Sequence, residues 1–426
     1  MAGTAVLESG SLSALPILER TAASPRTQTG PRSISLEEFF QRIGYVTLKL
    51  TPGCNLKCAY CNVEALTPKT PRMSMERFKQ IARLLLENSQ RPSVGLEFHG
   101  GEPLLMTDEW FAEAIGYARA LAEQNDKSVE FPLVTNGTLL TEERLLRLHA
   151  LGIRFCMSVD GPPEINDTMR GGGHAVKRAI ELFRRHSIYT GVLTVMSRGN
   201  CNRMTEVMDW FRTMGIPNYR VNFLQPQGRG NDESQLLSGE EMFEGMRQVI
   251  EHLDSTDISV EEREATWIVH QFLYGRDPQP KLSCWEYQCQ AGRIYVAVDH
   301  LGNIHACGTD LTHHILGHLD RNMDLDHYDA TLRRLHDKGD WVIRCFDCSA
   351  RRVCRHSCST SDYNSENYKE HECRFTKLMY QYLCDHPEKA QHIDAVLQQR
   401  RGGPRDAGFV PVGEVRRLNK PSRPSL

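Results

Sequence analysis

Six short β-type runs alternate with segments of helical periodicity in the first half of the chain, and this alternation constrains the fold most. The runs are Tyr45–Leu50, Val94–His99, Glu130–Val134, Arg154–Ser158, Tyr189–Val195 and Tyr219–Leu224. Between them, apolar residues such as Phe78, Ile81 and Leu85 recur at helical spacing. This alternation requires a parallel sheet with right-handed crossovers. We therefore predict an α/β fold, an open and partial (β/α)6 version of the TIM-type barrel.

Distinctive residues follow directly after the first four runs. The first run leads into three cysteines, the second into Gly100-Gly101-Glu102-Pro103, and the third into Thr135-Asn136-Gly137; the fourth ends at Ser158, before Asp160-Gly161. Active sites of parallel barrels lie where the carboxyl ends of the strands meet. We therefore expect these loops to converge on one site.

The three cysteines after the first run are Cys54, Cys58 and Cys61, spaced Cys-x3-Cys-x2-Cys. Three thiolates on a short loop can bind an iron–sulfur cluster and leave one iron without a protein ligand, open to a small molecule. The alternative is a zinc knuckle, but the loop lacks a fourth Cys or His at zinc-finger spacing.

The charge balance excludes some partners. There are 51 Lys and Arg against 54 Asp and Glu, a net charge of −3, so no overall field attracts nucleic acid or an anionic membrane. No apolar run approaches the roughly 18 residues of a membrane helix, and the start of the chain lacks the features of a secretion signal. We expect a cytoplasmic protein with no nucleic-acid or membrane partner, whose 14 cysteines are not structural disulfides.

A second region differs in composition from the first. Between Cys284 and Cys373 there are eight cysteines and little continuous apolar periodicity, which predicts a segment folded around metal rather than around a conventional core. The predicted organisation is an N-terminal arm, partly disordered (1–40), the barrel (41–235), bridging helices (236–280), the cysteine-rich domain (281–375), a C-terminal helix (376–399) and a disordered basic tail (400–426).

The cysteine loop, with Tyr60 directly before its last cysteine, and the Gly-Gly-Glu-Pro segment after the second run resemble the motifs of radical S-adenosylmethionine (SAM) enzymes. The resemblance implies a [4Fe-4S] cluster on the three cysteines and SAM bound beside it. The implied SAM-contacting residues are Tyr60, Gly100, Gly101, Glu102, Pro103, Asn136, Ser158, Asp160, Arg170 and Leu224. Glu102 would hold the ammonium of the methionine moiety.

The stretch from Ser158 to Pro162, followed by Asp167 and Arg170, resembles the peptide- and protein-modifying branch of the family. It implies that Ser158 lies near the ribose or carboxylate of SAM and that Arg170 is a carboxylate partner. Asn166 stands where the family often has His. The alternative for Asp167 and Arg170 is a surface ion pair.

The later cysteines resemble the SPASM domain of the same family, which holds two auxiliary [4Fe-4S] clusters. The matching pattern is Cys289-x12-Gly302-x4-Cys307, then Cys345-x2-Cys348-x5-Cys354-x3-Cys358, then Cys373. The resemblance implies one cluster on Cys284, Cys289, Cys307 and Cys358, and the other on Cys345, Cys348, Cys354 and Cys373. Paired zinc sites are the alternative, because eight thiolates also suit two zinc ions.

One departure from the family bears on the reaction. Residues 135–140 are typical of anaerobic sulfatase-maturing enzymes, but those enzymes commonly place Asp, the proton acceptor, directly after the cysteine aligned with Cys307, where this chain has Gly308. Asp310, slightly further on, is the candidate catalytic base. We therefore predict a peptide maturase that forms an oxidative crosslink or related linkage, and the alternative is a sulfatase maturase that makes formylglycine.

The resemblance also implies partners for the chain. They are a ribosomally made precursor peptide or a protein substrate, and a low-potential flavodoxin or ferredoxin as electron donor. A third hypothesis is a pure electron carrier, but such a protein does not need the Gly100–Pro103 segment. We expect His99, His305, His313, His314 and His318 to be structural rather than metal ligands, and Cys156 to be a core thiol.

Overall fold

The computed structural model describes residues 32–255, 260–275, 289–337, 345–354, 358–360 and 365–401. Cys284, most of the predicted N-terminal arm and the predicted basic tail beyond residue 401 lie outside the described residues. The described residues form one extended sheet, a small two-stranded sheet and helices packed against them.

The described strands are β1 (Ser33–Ile34), β2 (Tyr45–Lys49), β3 (Ser93–His99), β4 (Ser128–Thr135), β5 (Ile153–Ser158), β6 (Thr190–Met196), β7 (Asn218–Phe223), β8 (Glu261–Glu262), β9 (Tyr295–Asp299), β10 (Asn303–Cys307), β11 (Asp310–His318) and β12 (Met323–Asp324). The large sheet has the order β11-β10-β9-β2-β3-β4-β5-β6-β7-β8. Strands β2 to β8 pair in parallel with their neighbours. The six predicted runs correspond to β2–β7, with ends that differ by two residues or fewer, so the predicted α/β parallel sheet is confirmed.

The described α-helices are α1 (Leu36–Phe40), α2 (Met75–Asn88), α3 (Asp108–Gln124), α4 (Glu142–Ala150), α5 (Pro163–Met169), α6 (Gly173–Arg185), α7 (Met204–Met214), α8 (Gly239–Ser255), α9 (Arg263–Tyr274), α10 (Leu325–His336), α11 (Glu366–Asp385) and α12 (Pro387–Arg401). Helices α2 to α7 occupy the crossovers between the parallel strands. None of the described helices is long and apolar enough to cross a membrane.

The two faces of the sheet differ in chemistry. Phe98 of β3 packs edge-on against Trp110 and Phe111 of α3, so its face of the strand lies under the helices. Side chains alternate along a strand. The neighbouring Glu97 and His99 therefore lie on the opposite, inner face, where the register also places Thr47 and Lys49 of β2.

The described part of the predicted N-terminal arm contains β1 and α1. Ser35 caps α1, since its side-chain oxygen accepts a hydrogen bond from the backbone N–H of Glu38 at 3.1 Å. Phe39 and Phe40 of this helix are fully buried. The last residues of the predicted arm therefore belong to the folded body.

Part of the cysteine-rich region continues the large sheet. Strand β9 pairs in parallel with β2, and β10 and β11 extend the sheet as an antiparallel hairpin. Val296, Val298 and Ile304 are fully buried in the common core. The prediction that this region has no conventional core is therefore wrong for its first strands, whose partner β2 is far away in sequence.

The C-terminal helical segment also differs from the prediction of one helix over 376–399. Helix α11 begins at Glu366, well before the predicted start, and the chain starts a new helix at Pro387, which is favourable in a first turn and disruptive in a helix interior. Helix α11 packs on the barrel through Phe375, whose ring lies 4.8 Å from that of Phe223. This places Cys373 on a helix anchored to the barrel.

Candidate functional site

The loop with the first three cysteines starts at the carboxyl end of β2 and is held by backbone hydrogen bonds. The N–H of Cys54 donates to the carbonyl of Leu66 at 2.9 Å, and the N–H of Ala59 donates to the carbonyl of Met169 at 2.7 Å. Backbone N–H groups also approach two sulfur atoms, that of Leu56 to Cys54 Sγ and that of Ala65 to Cys61 Sγ, both at 3.4 Å. Burial raises the pKa of Cys54 to about 11, and the Leu56 N–H opposes this shift.

Arg229, which the sequence reasoning missed, ties this loop to the end of β7. Its backbone N–H donates to the carbonyl of Cys61 at 3.0 Å, its Nε to that of Cys58 at 2.9 Å, and its Nη1 to that of Ala65 at 3.1 Å. Gly228 has a φ of +55°, and a Cβ there would lie 2.4 Å from the Cys61 carbonyl oxygen. The Gly-Arg-Gly sequence after the sixth run was the signal available.

The Gly100–Pro103 segment lies directly against the cysteine loop. The N–H groups of Gly101 and Glu102 donate to the carbonyls of Thr51 and Gly53, each at 2.8 Å. A Cβ on Gly101 would come within 2.1 Å of the Gly53 carbonyl oxygen, so only glycine allows this approach. The structure thus brings the first two predicted loops together.

Glu102 is 1% exposed, and its carboxylate lies between loops. Oε1 accepts hydrogen bonds from the Leu104 N–H at 3.0 Å and the Thr135 hydroxyl at 2.7 Å, and Oε2 accepts from the Asn136 N–H at 2.8 Å. Burial raises the pKa of Glu102, although these donors oppose the shift. A carboxylate oxygen has two lone pairs, so Oε2 can still accept from an ammonium group.

Asn136 connects the third loop to the cysteines. Its Nδ2 lies 3.7 Å from Cys54 Sγ and donates to Asn55 Oδ1 at 3.0 Å. Its Oδ1 accepts from the backbone and the hydroxyl of Thr138, at 2.9 and 2.6 Å. The side chain is thereby fixed beside the first cysteine.

Asp160, 2% exposed, organises the fourth loop. It accepts hydrogen bonds from the hydroxyl of Tyr60 and from the Val195 N–H at 3.0 Å. Arg170 Nη2 lies 3.4 Å from Asp160 Oδ1, and the guanidinium sits 5.4 Å from the centroid of the Tyr60 ring. Burial opposes the charged form of Arg170, but Asp160 and the other nearby acidic groups outweigh it and raise the pKa of Arg170.

The alternative of a surface ion pair between Asp167 and Arg170 is wrong. The side chain of Arg170 is 9% exposed and pairs with Asp160, whereas Asp167 accepts from the Gly173 N–H at 2.7 Å at the start of α6. Asn166, at the position where the family often has His, is fully buried. Its Oδ1 accepts from the Asp160 N–H and its Nδ2 donates to the Gly171 carbonyl, so it shapes this loop.

Ser158 and Leu224 complete the predicted SAM-contacting set. Ser158 ends β5, where it pairs with Leu193 of β6. Leu224 directly follows β7, is 1% exposed, and donates its N–H to the Met196 carbonyl at 3.0 Å. Both therefore lie at the carboxyl end of the sheet, as predicted.

Two threonines join Cys307 to Cys358 in the C-terminal region. Cys307 Sγ lies 3.1 Å from the hydroxyl of Thr309, Cys358 Sγ lies 3.1 Å from that of Thr360, and the two hydroxyl oxygens are 3.2 Å apart. Cys358 thus lies on the side of Cys307, in agreement with the interleaved ligand sets. Cys289 lies against the same core, and the assignment stays a prediction.

The other cysteine set gathers at α11. Burial raises the pKa of Cys373, with smaller contributions from Cys348 and Cys345, so the three thiols are neighbours. Cys348 donates its N–H to the Cys345 carbonyl at 3.3 Å, and Cys354 follows the short 3-10 turn after them. Among the described residues no three Cys, His, Asp or Glu side chains converge as for a single metal ion. A four-iron cluster binds each thiolate on a separate iron, so its ligands need not converge on one point.

Asp310 lies in the hairpin opposite Cys307, and both of its carboxylate oxygens already have hydrogen-bond partners. Oδ1 accepts from the backbone and hydroxyl of Thr312 and from the backbone of His313, and Oδ2 contacts His314 Nδ1 at 2.6 Å. Burial opposes ionisation, but these partners hold the pKa of Asp310 well below its usual range. Such a carboxylate is a weak proton acceptor.

Two more of the histidines and Cys156 have local structural surroundings. His305 Nε2 lies 3.1 Å from Asp299 Oδ2, and His318 Nδ1 accepts from the Asp320 N–H at 3.2 Å. Burial raises the pKa of Cys156 to about 12, which suits an inert thiol.

Known proteins share this fold and these motifs. Residues 48–223 match the model of the Radical SAM superfamily. The chain is 27% identical over 347 residues to the AdoMet-dependent heme synthase of Methanosarcina barkeri, covering 75% of this chain and 94% of that protein. It is 28% identical over 268 residues to the mycofactocin maturase MftC of Mycolicibacterium smegmatis, covering 62% of this chain and 63% of that protein.

Among solved structures, native anSMEcpe with bound AdoMet and the Cp18Cys peptide is similar in fold. The TM-score is 0.69 at 18% identity, over 83% of this chain and 99% of that chain. The chain contains a radical SAM domain over residues 48–223 and is an enzyme. Its fold is that of the SPASM-type members.

Proposed function

We propose that this enzyme oxidises a side-chain carbon of a ribosomally made peptide, giving a crosslink or related linkage. In this proposal, three [4Fe-4S] clusters use eleven cysteines, Cys284 among them. One hydrogen atom of the peptide would leave in 5′-deoxyadenosine, an auxiliary cluster would accept the remaining electron, and the attacking side chain would release the second hydrogen as a proton. A low-potential flavodoxin or ferredoxin supplies the electron. Relatives that are named maturases, and a fold neighbour with a bound peptide, support a peptide or protein substrate.

The donor set fits the cluster and SAM. Cys54, Cys58 and Cys61 offer three thiols on one loop, and the buried Glu102 retains acceptor capacity for an ammonium. When bound, the reduced cluster and SAM supply a 5′-deoxyadenosyl radical that removes a hydrogen atom from an unactivated carbon. The chain's own residues hold these groups, exclude water and orient one C–H bond.

Gly308 and the nearby Asp310 are the residues that favour crosslinking over formylglycine formation. Formylglycine formation needs a base for the Ser or Cys proton, within about 3 Å or through one water. Gly308 has no side chain. Asp310 already accepts three hydrogen bonds from Thr312 and His313, and it also contacts His314. This favours a peptide whose own side chain is the second partner of the new bond.

In a second candidate function, the enzyme acts on a side chain of a tetrapyrrole. The likeness to an AdoMet-dependent heme synthase extends over 94% of that protein, further than the likeness to MftC. A porphyrin propionate also presents an unactivated C–H bond to a radical. The two candidates therefore differ in substrate and share the radical step.

Mass spectrometry after anaerobic turnover tests these functions. A short peptide encoded next to this gene should lose about two hydrogens and resist fragmentation across the new link. A sulfatase-type peptide that gains an aldehyde, with the gain lost in Asp310→Ala, would overturn the proposal in favour of the sulfatase maturase. Turnover of a propionate-bearing porphyrin alone would favour the second candidate.

A further inference from the structure

Lys49 is a buried cation at the carboxyl end of a barrel strand. It is the last residue of β2, faces the inner side of the sheet opposite His99 of β3, and is 3% exposed. The cysteine loop begins directly after it. Lys49 therefore lies on the face of the sheet where the site residues converge.

The same side chain also reaches the auxiliary-cysteine region. An ideal Cβ on Gly308 would lie 3.3 Å from Lys49 Cε and 2.9 Å from the hydroxyl of Tyr295. The Asn62 side chain donates to the Thr309 carbonyl at 3.4 Å, so the cysteine loop and the Gly308 turn touch beside this lysine. Lys49 thus stands between Cys61 and Cys307.

The ammonium of Lys49 has more donors than partners. In the described parts of the chain its hydrogen-bond partner is His99 Nδ1, at a long 3.4 Å. Glu97 already accepts from the Thr47 hydroxyl at 2.5 Å and from Tyr45. An ammonium carries three donors, so two are available to a ligand.

Burial and the neighbouring charges act in opposite directions on the ammonium of Lys49. Burial lowers the pKa of Lys49 to about 8, while the charges of Glu97, Cys307 and Cys61 oppose the shift. Burial, and then Lys49 itself, lower the pKa of His99 to about 3, so His99 is neutral. A buried charge with unused donors is costly unless an anion pairs with it.

We infer that Lys49 binds a carboxylate of the substrate, between the first cluster and the Cys307 turn. The inference rests on the proposed function and names a substrate class, one that bears a carboxylate near the carbon that reacts. Gly308 keeps the space beside Lys49 open, since any side chain there would crowd Tyr295 and the lysine. The carboxylate belongs either to an acidic peptide or to a porphyrin propionate.

Binding to the reconstituted, SAM-loaded protein without reductant tests this inference. The probes are the labelled, C-terminally amidated peptides Gly-Ala-Asp-Ala-Gly and Gly-Ala-Asn-Ala-Gly, and a propionate-bearing porphyrin with its methyl ester. We expect either the Asp peptide or the porphyrin with free propionates to bind about 10- to 100-fold more tightly than its uncharged analogue, the Asn peptide or the methyl ester. Lys49→Met should bring that ratio close to one, whereas Lys49→Arg should retain a preference for the acid.

Two matched comparisons separate charge from folding. Gly308→Asp places a carboxylate beside Lys49 and should remove the preference, whereas Gly308→Asn, of equal size, should retain more of it. The exposed Lys177→Met on α6 should behave as wild type. Iron content and circular dichroism report whether each variant is folded.

Several outcomes overturn the inference. The first is a wild-type protein that does not prefer the acid over its uncharged analogue. The second is a Lys49→Met variant with an unchanged preference. The third is a Lys49→Met variant that loses affinity for SAM but keeps the substrate preference. The last result would assign Lys49 to the carboxylate of SAM. Failure to oxidise any peptide during turnover would contradict the proposed function instead, because these binding ratios do not depend on turnover.

Discussion

The two cysteine regions of this enzyme are built by different means. Cys54, Cys58 and Cys61 lie on one loop, which protein hydrogen bonds from the strand ends and Arg229 already hold. The later cysteines are spread over a hairpin, a short turn and helix α11, and the contacts between them include the Thr309–Thr360 pair. The comparison indicates that the barrel forms its site itself, whereas the second region depends more on bound clusters to join its segments.

Removing the first three thiols should have the largest effect. Cys54, Cys58 and Cys61 changed together to Ala should lose about four of about twelve irons and all SAM cleavage. The melting temperature should fall little, because backbone bonds hold the loop. Iron analysis, 5′-deoxyadenosine assay and calorimetry measure this, with the exposed Cys384→Ser as control.

A matched change in the second region tests whether its segments depend on their cluster. Cys345 and Cys348 changed to Ala should remove a similar amount of iron but lower the melting temperature more. If the two groups of Cys→Ala changes lowered the melting temperature equally, the second region would not depend more on its clusters than the barrel does.

Glu102 should affect SAM without affecting iron. Glu102→Gln keeps an acceptor for Thr135 and Leu104, but it loses the negative charge and turns an amide NH2 towards the Asn136 N–H. The protein should retain its clusters and lose most 5′-deoxyadenosine formation. Glu102→Ala also leaves buried donors unpaired, at about 1–3 kcal/mol each, and should be less stable. Normal SAM cleavage by a folded Glu102→Gln protein would place the ammonium elsewhere.

Arg229 should have a smaller effect confined to the barrel. Arg229→Lys removes the forked contacts with the Cys58 and Ala65 carbonyls, and changes of this kind around metal ligands reduce affinity or activity about 10- to 100-fold. The first cluster should be lost on dilution before the others. EPR of the separate clusters measures this, and equal loss of all three would contradict it.

The threonine pair should have the smallest effect. Thr309→Val, Thr360→Val and the double variant form a cycle, with a coupling of about 0.5–1.5 kcal/mol in unfolding free energy. A coupling near zero would mean that the hydroxyls do not connect Cys307 to Cys358. Denaturant titration of the reconstituted protein gives the values.

Local sequence patterns were sufficient to predict the barrel strands and the convergence of the loops that follow them. Each predicted strand has its own alternation, and each loop follows its strand directly, so no distant information was needed. The pairing of β9 with β2 and the place of Cys373 on α11 were missed, because both depend on partners far away in sequence. Lys49 was missed for a related reason: a lysine at a strand end is normally exposed, and the turn at Gly308, which lies beside it, is far away in sequence.

The parallel pairing of β9 with β2 makes the strand before the first cysteine loop an interior strand of the sheet. A chain cut after Tyr274 would lose β9 and leave one side of β2 with unpaired backbone groups. An open, apolar edge of that kind recruits other chains and leads to aggregation. The barrel and the cysteine-rich region are therefore not separable modules, and in evolution neither half can be exchanged without supplying a new neighbour for β2.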